Sequence, residues 1–277
     1  RGRLTINKNI YQYIGEYFSL NDNLLPNKIN KTRLSKYNKI KFQDTEFYFD
    51  ENIAFKHDKN KSIFNIYQKY SGARAYFWGG NLKNISIIFS GIPETMNTTL
   101  NNYPFDQKNL TGCLSFIDLN LQNVSIKSLN SNCEDSVNLI RTTGHIKRFD
   151  SKNSAKDALD IDFSNIKIDE VSINSANNDC MDLSGGNYEL HELNLSKCGD
   201  KALSVGEKSF VKLENFNVSK STIGLSSKDS SITSIKNAKI QNTELCIEAK
   251  RKKQEFSGGI INLGRYNCYG SPVNIYS

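Results

Sequence analysis

Three features of this sequence predict an all-β solenoid with coils of about 22 residues. Six short segments recur in constant register, at 135–140, 157–162, 179–184, 201–206, 223–228 and 245–250. Within each, the third and fifth positions are mostly apolar (Leu159 and Ile161, Met181 and Leu183, Leu203 and Val205) and the fourth and sixth mostly polar. That alternation is a strand with one face in and one face out. A second series, spaced apolar-x-x-apolar-x-apolar, interleaves with the first: Leu121/Val124/Ile126, Ile168/Val171/Ile173, Leu190/Leu193/Leu195, Leu213/Phe216/Val218 and Ile235/Ala238/Ile240. Each coil therefore holds at least two short strands joined by corners rich in Asn, Asp, Ser and Gly. Helical repeats would need longer units and apolar spacings of three and four.

Residues 1–79 do not show the repeat and are expected to cap the solenoid, whose first coil would otherwise expose core and strand edges. Within them 10–18 reads as a short amphipathic helix or a strand, and the basic stretch 28–41 as a solvated loop. The parallel β-helix is expected to run over 80–277, right-handed because parallel crossovers are. Residues 91–110 read as a long loop leaving the coil, of the kind that often carries function.

Composition bounds the alternatives. The chain has 277 residues, 38% of them hydrophobic and 23% charged, which suffices for a sizeable core. No apolar run approaches the ~18 residues of a membrane span. The net charge of +7 comes from a Lys-rich surface with both signs interspersed, which argues against nucleic acid. Six cysteines without a C-x-x-C pair or a histidine at ligand spacing argue against zinc; they read as buried thiols, with one or two disulfides as the alternative. The chain begins Arg1-Gly2-Arg3, which suggests a mature or excised form that has lost a signal peptide, and a secreted, periplasmic or cell-surface location.

Stacking turns columns of sequence into ladders in space. The outward fourth column runs Asn138, Asp160, Asp182, Ser204, Ser226, Glu248, and the sixth runs Ile140, Asp162, Ser184, Gly206, Lys228, Lys250. The leading column, at the corner, runs Asp135, Asp157, Asp179, Lys201, Ile223, Leu245. Leading aspartates have a structural explanation, since an Asp at a corner binds turn amides. Nothing in backbone geometry demands acids at Asp160, Asp162 and Asp182; such a cluster either holds a cation such as Ca²⁺ or shares a proton in acid–base work. Lys201 and Lys228 are expected to share a groove with these acids and to serve as candidate bases, Lys228 as an exposed side chain. Glu207, Lys208, Lys250, Lys252 and Glu255 are further substrate-binding candidates, because turn chemistry does not call for their charges. His145 and His191 fall in the second strand series and His57 in the cap, which argues against a Ser-His-Asp site.

The phrases around these columns resemble the pectin-lyase-like superfamily of right-handed β-helices, and in layout the polygalacturonase family of glycoside hydrolases. That family carries Asn-Thr-Asp-Gly-Ile-Asp on one coil and Gly-Asp-Asp-Cys on the next, then Gly-His-Gly and Arg-Ile-Lys. Here Ala155-Lys156-Asp157-Ala158-Leu159-Asp160 is similar to the first, Asn177-Asn178-Asp179-Cys180 to the second, Cys198-Gly199-Asp200-Lys201 stands at the third and Gly224-Leu225-Ser226-Ser227-Lys228 at the fourth. The resemblance implies acid, base and substrate-binding roles for Asp157, Asp179 and Lys228. The chain departs from the pattern at Asn178, Asp200 and Ser226, so the paired carboxyls of an inverting hydrolase are incomplete. Stretches such as 199–209 and 250–259 also resemble bacterial β-helix modules found with spore-coat-H-type domains, which implies further domains on the parent chain. The expected partner is an acidic or hydroxyl-rich polysaccharide, met by a hydrolase, lyase or C5-epimerase or, alternatively, by a non-catalytic glycan-binding or structural module.

Overall fold

The computed structural model describes residues 36–92 and 104–277, with the backbone of two further strands, β1 (Arg3–Ile6) and β2 (Asn9–Gln12), which pair antiparallel. Residues 13–18 of the expected amphipathic element, 28–35 of the basic stretch and 93–103 of the long loop lie outside the described residues. Residues 37–41 of the basic stretch are not loop but strand β3 (Tyr37–Phe42), whose exposed Asn38, Lys39 and Lys41 leave Phe42 to the core.

Strand β4 (Asp44–Asp50) folds back on β3, and β5 (Ile53–Asp58) pairs antiparallel with β6 (Ile63–Gln68). The antiparallel layer meets the solenoid through β7 (Ala75–Lys83) and β8 (Ser86–Ser90), since β4 pairs antiparallel with β7 and β6 pairs parallel with β8. Its interior is aromatic: Phe47 packs on Phe77 at 4.6 Å between ring centroids, and Phe77 stacks on Phe116 at 5.5 Å. Large rings thus close the end of the core.

Beyond this layer short and long strands alternate. The first three pairs are β9 (Gly112–Ile117) and β10 (Asn120–Leu129), β11 (Asp135–Ile140) and β12 (Thr143–Ser154), and β13 (Asp157–Asp162) and β14 (Asn165–Ala176). Then follow β15 (Met181–Ser184) and β16 (Asn187–Cys198), and β17 (Lys201–Gly206) and β18 (Phe210–Ser219). The last are β19 (Ile223–Lys228) and β20 (Ile232–Gln241), β21 (Leu245–Lys250) and β22 (Ile260–Tyr269), and β23 (Val273–Tyr276). Every short strand pairs parallel with the short strand one coil on, and every long strand likewise, giving a parallel β-solenoid of about eight turns, with no helix among the described residues. The register is the one read from the sequence: Val137 faces Leu159, Asn138 faces Asp160, Leu159 faces Met181 and Asp160 faces Asp182. Leu159, Ile161, Met181, Leu183, Leu203 and Val205 are fully buried.

Most coils use left-handed backbone at two corners. After the short strands β9 to β19 stand Asp118, Arg141, Phe163, Glu207 and Asp229, all with φ between 47° and 54°, and Gly185 at 64°. At or just past the ends of the long strands stand Asn130, Asn153, Lys197, Lys220 and Asn242, with φ between 52° and 58°, and Ser175 at 74°. Asn tolerates this region better than most residues and its amide can bond onward; Asn153 donates to Asn130 at 2.9 Å. Asn and Gly fill some of these corners, and Asp, Arg, Phe, Ser, Lys and Glu adopt the same backbone at the others. At Gly185 a side chain would also run into the Phe163 ring, 2.7 Å from the position of its Cβ.

The cysteines overturn the expectation of buried thiols. Cys113 bonds Cys133, Cys180 bonds Cys198 and Cys246 bonds Cys268, and none of the six is free. Cys113, Cys180 and Cys246 all occupy the second position of a short strand's register, pointing into the same corner of the core where other coils place Ala158, Ala202 and Gly224. Each bonds a cysteine 18 to 22 residues on, at or near the end of the following long strand, so one turn of the coil brings the partners together.

Candidate functional site

The outward ladder of the short-strand sheet is longer than the repeat alone indicated. Tyr76 pairs with Ser115, Ser115 with Asn138, and Asn138 with Asp160, so the fourth column begins with Tyr76 and continues through Asp182, Ser204, Ser226 and Glu248 to Tyr276. The sixth begins with Trp78 and passes through Ile117, Ile140 and Asp162 to Ser184 and Gly206. Lys228 and Lys250 follow in that column.

Asp160, Asp162, Asp182 and Lys228 share this outward face, and Asp157, Asp179 and Lys201 stand at the corner that leads into it. The leading acids have the structural role the corner reading assigned. Asp157 Oδ1 accepts the Asp179 backbone N–H at 2.8 Å and the Asn178 amide at 2.6 Å, and Asp179 Oδ1 accepts the Lys201 backbone N–H at 2.9 Å. In the outward columns Asn138 donates its amide to Asp160 at 2.9 Å and to Asp162 at 3.3 Å.

Packing so many carboxyls into a half-buried ladder disfavours their charged forms. Burial, then the charge of Asp179, pushes the Asp157 carboxyl up to about 7. Burial pushes Asp135 up to about 6, with Asp162 and Glu134 adding to it. Asp160 is held well above the usual carboxylate range by burial and by four neighbouring acids. Asp162 is raised by burial and Asp182 against the Asn138 hydrogen bond, and Asp179 by burial more than Lys201 lowers it.

The lysines differ from the expectation. Lys228 is buried rather than exposed: its side chain lies across Gly206, where no Cβ stands in its way, and its Nζ donates to Ser204 Oγ at 2.6 Å and reaches within 3.9 Å of Asp182 Oδ1. Lys201 is no candidate base. Burial lowers its pKa, but Asp200 and Asp179, the latter 3.5 Å from Nζ, raise it by more and hold the ammonium. Lys250 pairs with Glu248 at 2.7 Å. Glu207 accepts a 2.5 Å hydrogen bond from Ser184 and pairs with Lys253; burial raises its carboxyl, but these two partners bring it below its ordinary value. Lys208, Lys252 and Glu255 stand exposed at the adjoining corner, where Lys208 lies over the Phe256 ring and the Lys252 backbone N–H donates to Asp229; no hydrogen bond or ion pair joins them to the acidic ladder.

The Ca²⁺ reading of Asp160, Asp162 and Asp182 does not fit. Among the described residues no three His, Cys, Asp or Glu are arranged to hold a metal ion. Asn138 directs its N–H groups at two of the three carboxyls, and Lys228 stands beside the third, so cationic and donor groups of the chain already face them. What this set supports is proton sharing.

Three polar atoms of the fourth column, Ser115 Oγ, Asn138 Oδ1 and Asp182 Oδ1, are buried without a hydrogen-bond partner among the described residues. Ser115 and the aromatic start of the ladder escape the sequence reading because the loop at 91–110 interrupts the repeat; Lys253 escapes because it acts from a corner. His145 bonds Asn123 and Asp169, and His191 stands 3.1 Å from Glu214, both on the long-strand face. A groove of about 630 Å³ is also on that face, among Lys167, Glu189, His191 and Lys212, and shares no residue with the acidic ladder. Comparison of the chain with protein-family models, with characterised proteins and with solved structures finds no match.

Proposed function

We propose that this chain is a carbohydrate-active β-solenoid of the pectin-lyase-like kind, taking an acidic or hydroxyl-rich polysaccharide along its short-strand face. The observation that carries the reading is the acidic ladder, in which the raised carboxyls of Asp157, Asp160 and Asp162 sit beside Asn138 Oδ1 and Asp182 Oδ1, both buried and unpartnered among the described residues. Carboxyls that remain protonated near neutral pH donate to hydroxyl and carboxylate oxygens, and can protonate a glycosidic oxygen as general acid. Lys228, buried next to Asp182, supplies positive charge for a uronate. Elimination from a lysine base is the weaker variant, since Lys201 is held as an ammonium and Lys228 is engaged with Ser204. Three disulfides favour an oxidising compartment, in keeping with a secreted, periplasmic or surface protein.

One observation favours the non-catalytic variant, a glycan-binding module of a larger bacterial protein. Asp157 and Asp179, the acids matched to the hydrolase motif, each use an oxygen on the backbone of the next coil. Incubation with a panel of uronate and neutral polysaccharides, followed for reducing ends and unsaturated products, separates the variants. The Asp160→Asn, Asp182→Asn double variant is expected to lose turnover, or binding where there is no turnover, while keeping its fold. Polysaccharide handling indifferent to that substitution would overturn the assignment of the site.

A further inference from the structure

We propose that Trp78 is the stacking platform of a glycan subsite at the N-terminal end of the short-strand face, three coils before the acidic ladder. The inference rests on the carbohydrate reading above and extends it to the direction of the bound chain, along the solenoid axis. Trp78 heads the sixth column and is 47% exposed, although the side chains around it are largely packed. Its indole is held in place. Nε1–H donates to Asp118 Oδ2 at 3.3 Å, and Asp118 is gripped by Arg141 through Nε at 2.7 Å and Nη2 at 2.9 Å. Tyr48 braces it at 6.4 Å between ring centroids, and the Tyr48–Tyr76 stack is covered by Lys108, whereas among the described residues the Trp78 ring stays half-exposed. A rigid, exposed ring with few side-chain degrees of freedom suits the apolar C–H face of a sugar.

The ground between Trp78 and the acids points to the same ligand. Trp78 faces Ile117, Ile117 faces Ile140 and Ile140 faces Asp162, a path of three strand spacings, ~14 Å. Beside that path run Ser115 and Asn138, both almost fully buried, with Ser115 Oγ and Asn138 Oδ1 unpartnered among the described residues. A buried hydroxyl and a buried amide oxygen without partners are costly unless something supplies them. Both atoms lie beneath the surface, so a sugar chain running from Trp78 to Asp162 passes over the partly exposed Ile117 and Ile140 and reaches the two oxygens only by displacing the side chains that cover them.

Trp78 is the one tryptophan of the chain, so its fluorescence reports on this subsite directly. The test titrates the full chain with polygalacturonate, alginate and cello-oligosaccharides, following emission and acrylamide quenching, with binding measured in parallel by calorimetry for Trp78→Ala, Trp78→Tyr and the Asp160→Asn, Asp182→Asn double variant. The expected result is a blue shift and reduced quenching on binding, a loss of about tenfold or more in affinity for Trp78→Ala, and partial recovery in Trp78→Tyr. Binding that needs Asp160 and Asp182 yet leaves emission and the Trp78→Ala affinity unchanged overturns the subsite and spares the acidic site. An affinity lost in Trp78→Ala, with the emission shift and affinity of the Trp78-containing chain indifferent to the aspartate substitutions, supports the subsite and overturns the acidic site. No binding by any of these carbohydrates, with emission unmoved, overturns both.

Discussion

Asp157 shows what stacking does to a single side chain. Its hydrogen bonds are those of a corner aspartate, yet the coil above places Asp179 over it and the coil below Asp135 under it, and burial removes the water that would screen them. The carboxyl is therefore pushed up to about 7 from an ordinary value near 4. A carboxyl whose folded pKa is raised stabilises the fold fully below its unfolded pKa, and that contribution disappears as pH rises through the folded value. Asp157 and Asp135, the latter at about 6, place the window between about pH 4 and pH 7. The melting temperature is expected to fall as pH is raised across this window. Asp157→Asn keeps an oxygen for the Asp179 and Asn178 donors and removes the charge, so it should flatten part of that slope and stabilise the protein at pH 8 by a few kcal/mol. A melting temperature that rises from pH 5 to pH 8, or an Asn variant that is less stable at pH 8, would contradict the electrostatic account of the ladder.

At the scale of one strand, the rung is the unit of stability. Leu183 in β15 lies between Ile161 and Val205 on the neighbouring coils, and all three are fully buried. Leu183→Ala opens a cavity that stacked rungs on both sides prevent from collapsing, and should cost about 2–5 kcal/mol in chemical denaturation; a change below 1 kcal/mol would mean the rungs are not in register. This register was legible because β11 to β21 keep the 22-residue step and the two-residue alternation together. At the ends that step is lost: insertions separate β7 from β9 and β21 from β23, and only pairing reveals that Trp78, Ile117 and Ile140 share a column. Ser227 is a second kind of miss. It occupies an inward position, buried, and is satisfied by Ser231 at 2.8 Å and Thr233 at 3.2 Å, a polar contact inside the core that apolar periodicity does not encode. The acids of the site were legible as columns; their protonation was not, because it depends on burial that only the neighbouring coils supply.

For the whole molecule, each coil touches mainly its neighbours, so stability is a sum of local interfaces rather than the property of one central core. The two ends are unlike: aromatic rings close one, while in the last coil Val273, Ile275 and Tyr276 are exposed. Between them the disulfides sit at three separate stations, in the coils of β9, β15 and β21. The chemistry of the corner explains why they escaped a motif search: the paired cysteines are one turn of the coil apart, and in other coils small residues fill the same place. Each closes a loop of 18 to 22 residues, and the chain-entropy picture assigns a bond of that span about 3 kcal/mol. Reduction should thus lower the melting temperature by more than about 10 °C, given a shift of roughly 2–4 °C per kcal/mol at this chain length. Because coupling runs from coil to coil, removing the central bond alone, with Cys180→Ala and Cys198→Ala, should split one cooperative transition into two, seen as diverging calorimetric and van't Hoff enthalpies. Thiol titration that finds free cysteines in the oxidised protein, or a reduced protein that melts at the same temperature, would return the cysteines to the role of small buried side chains and remove the chemical argument for an oxidising compartment.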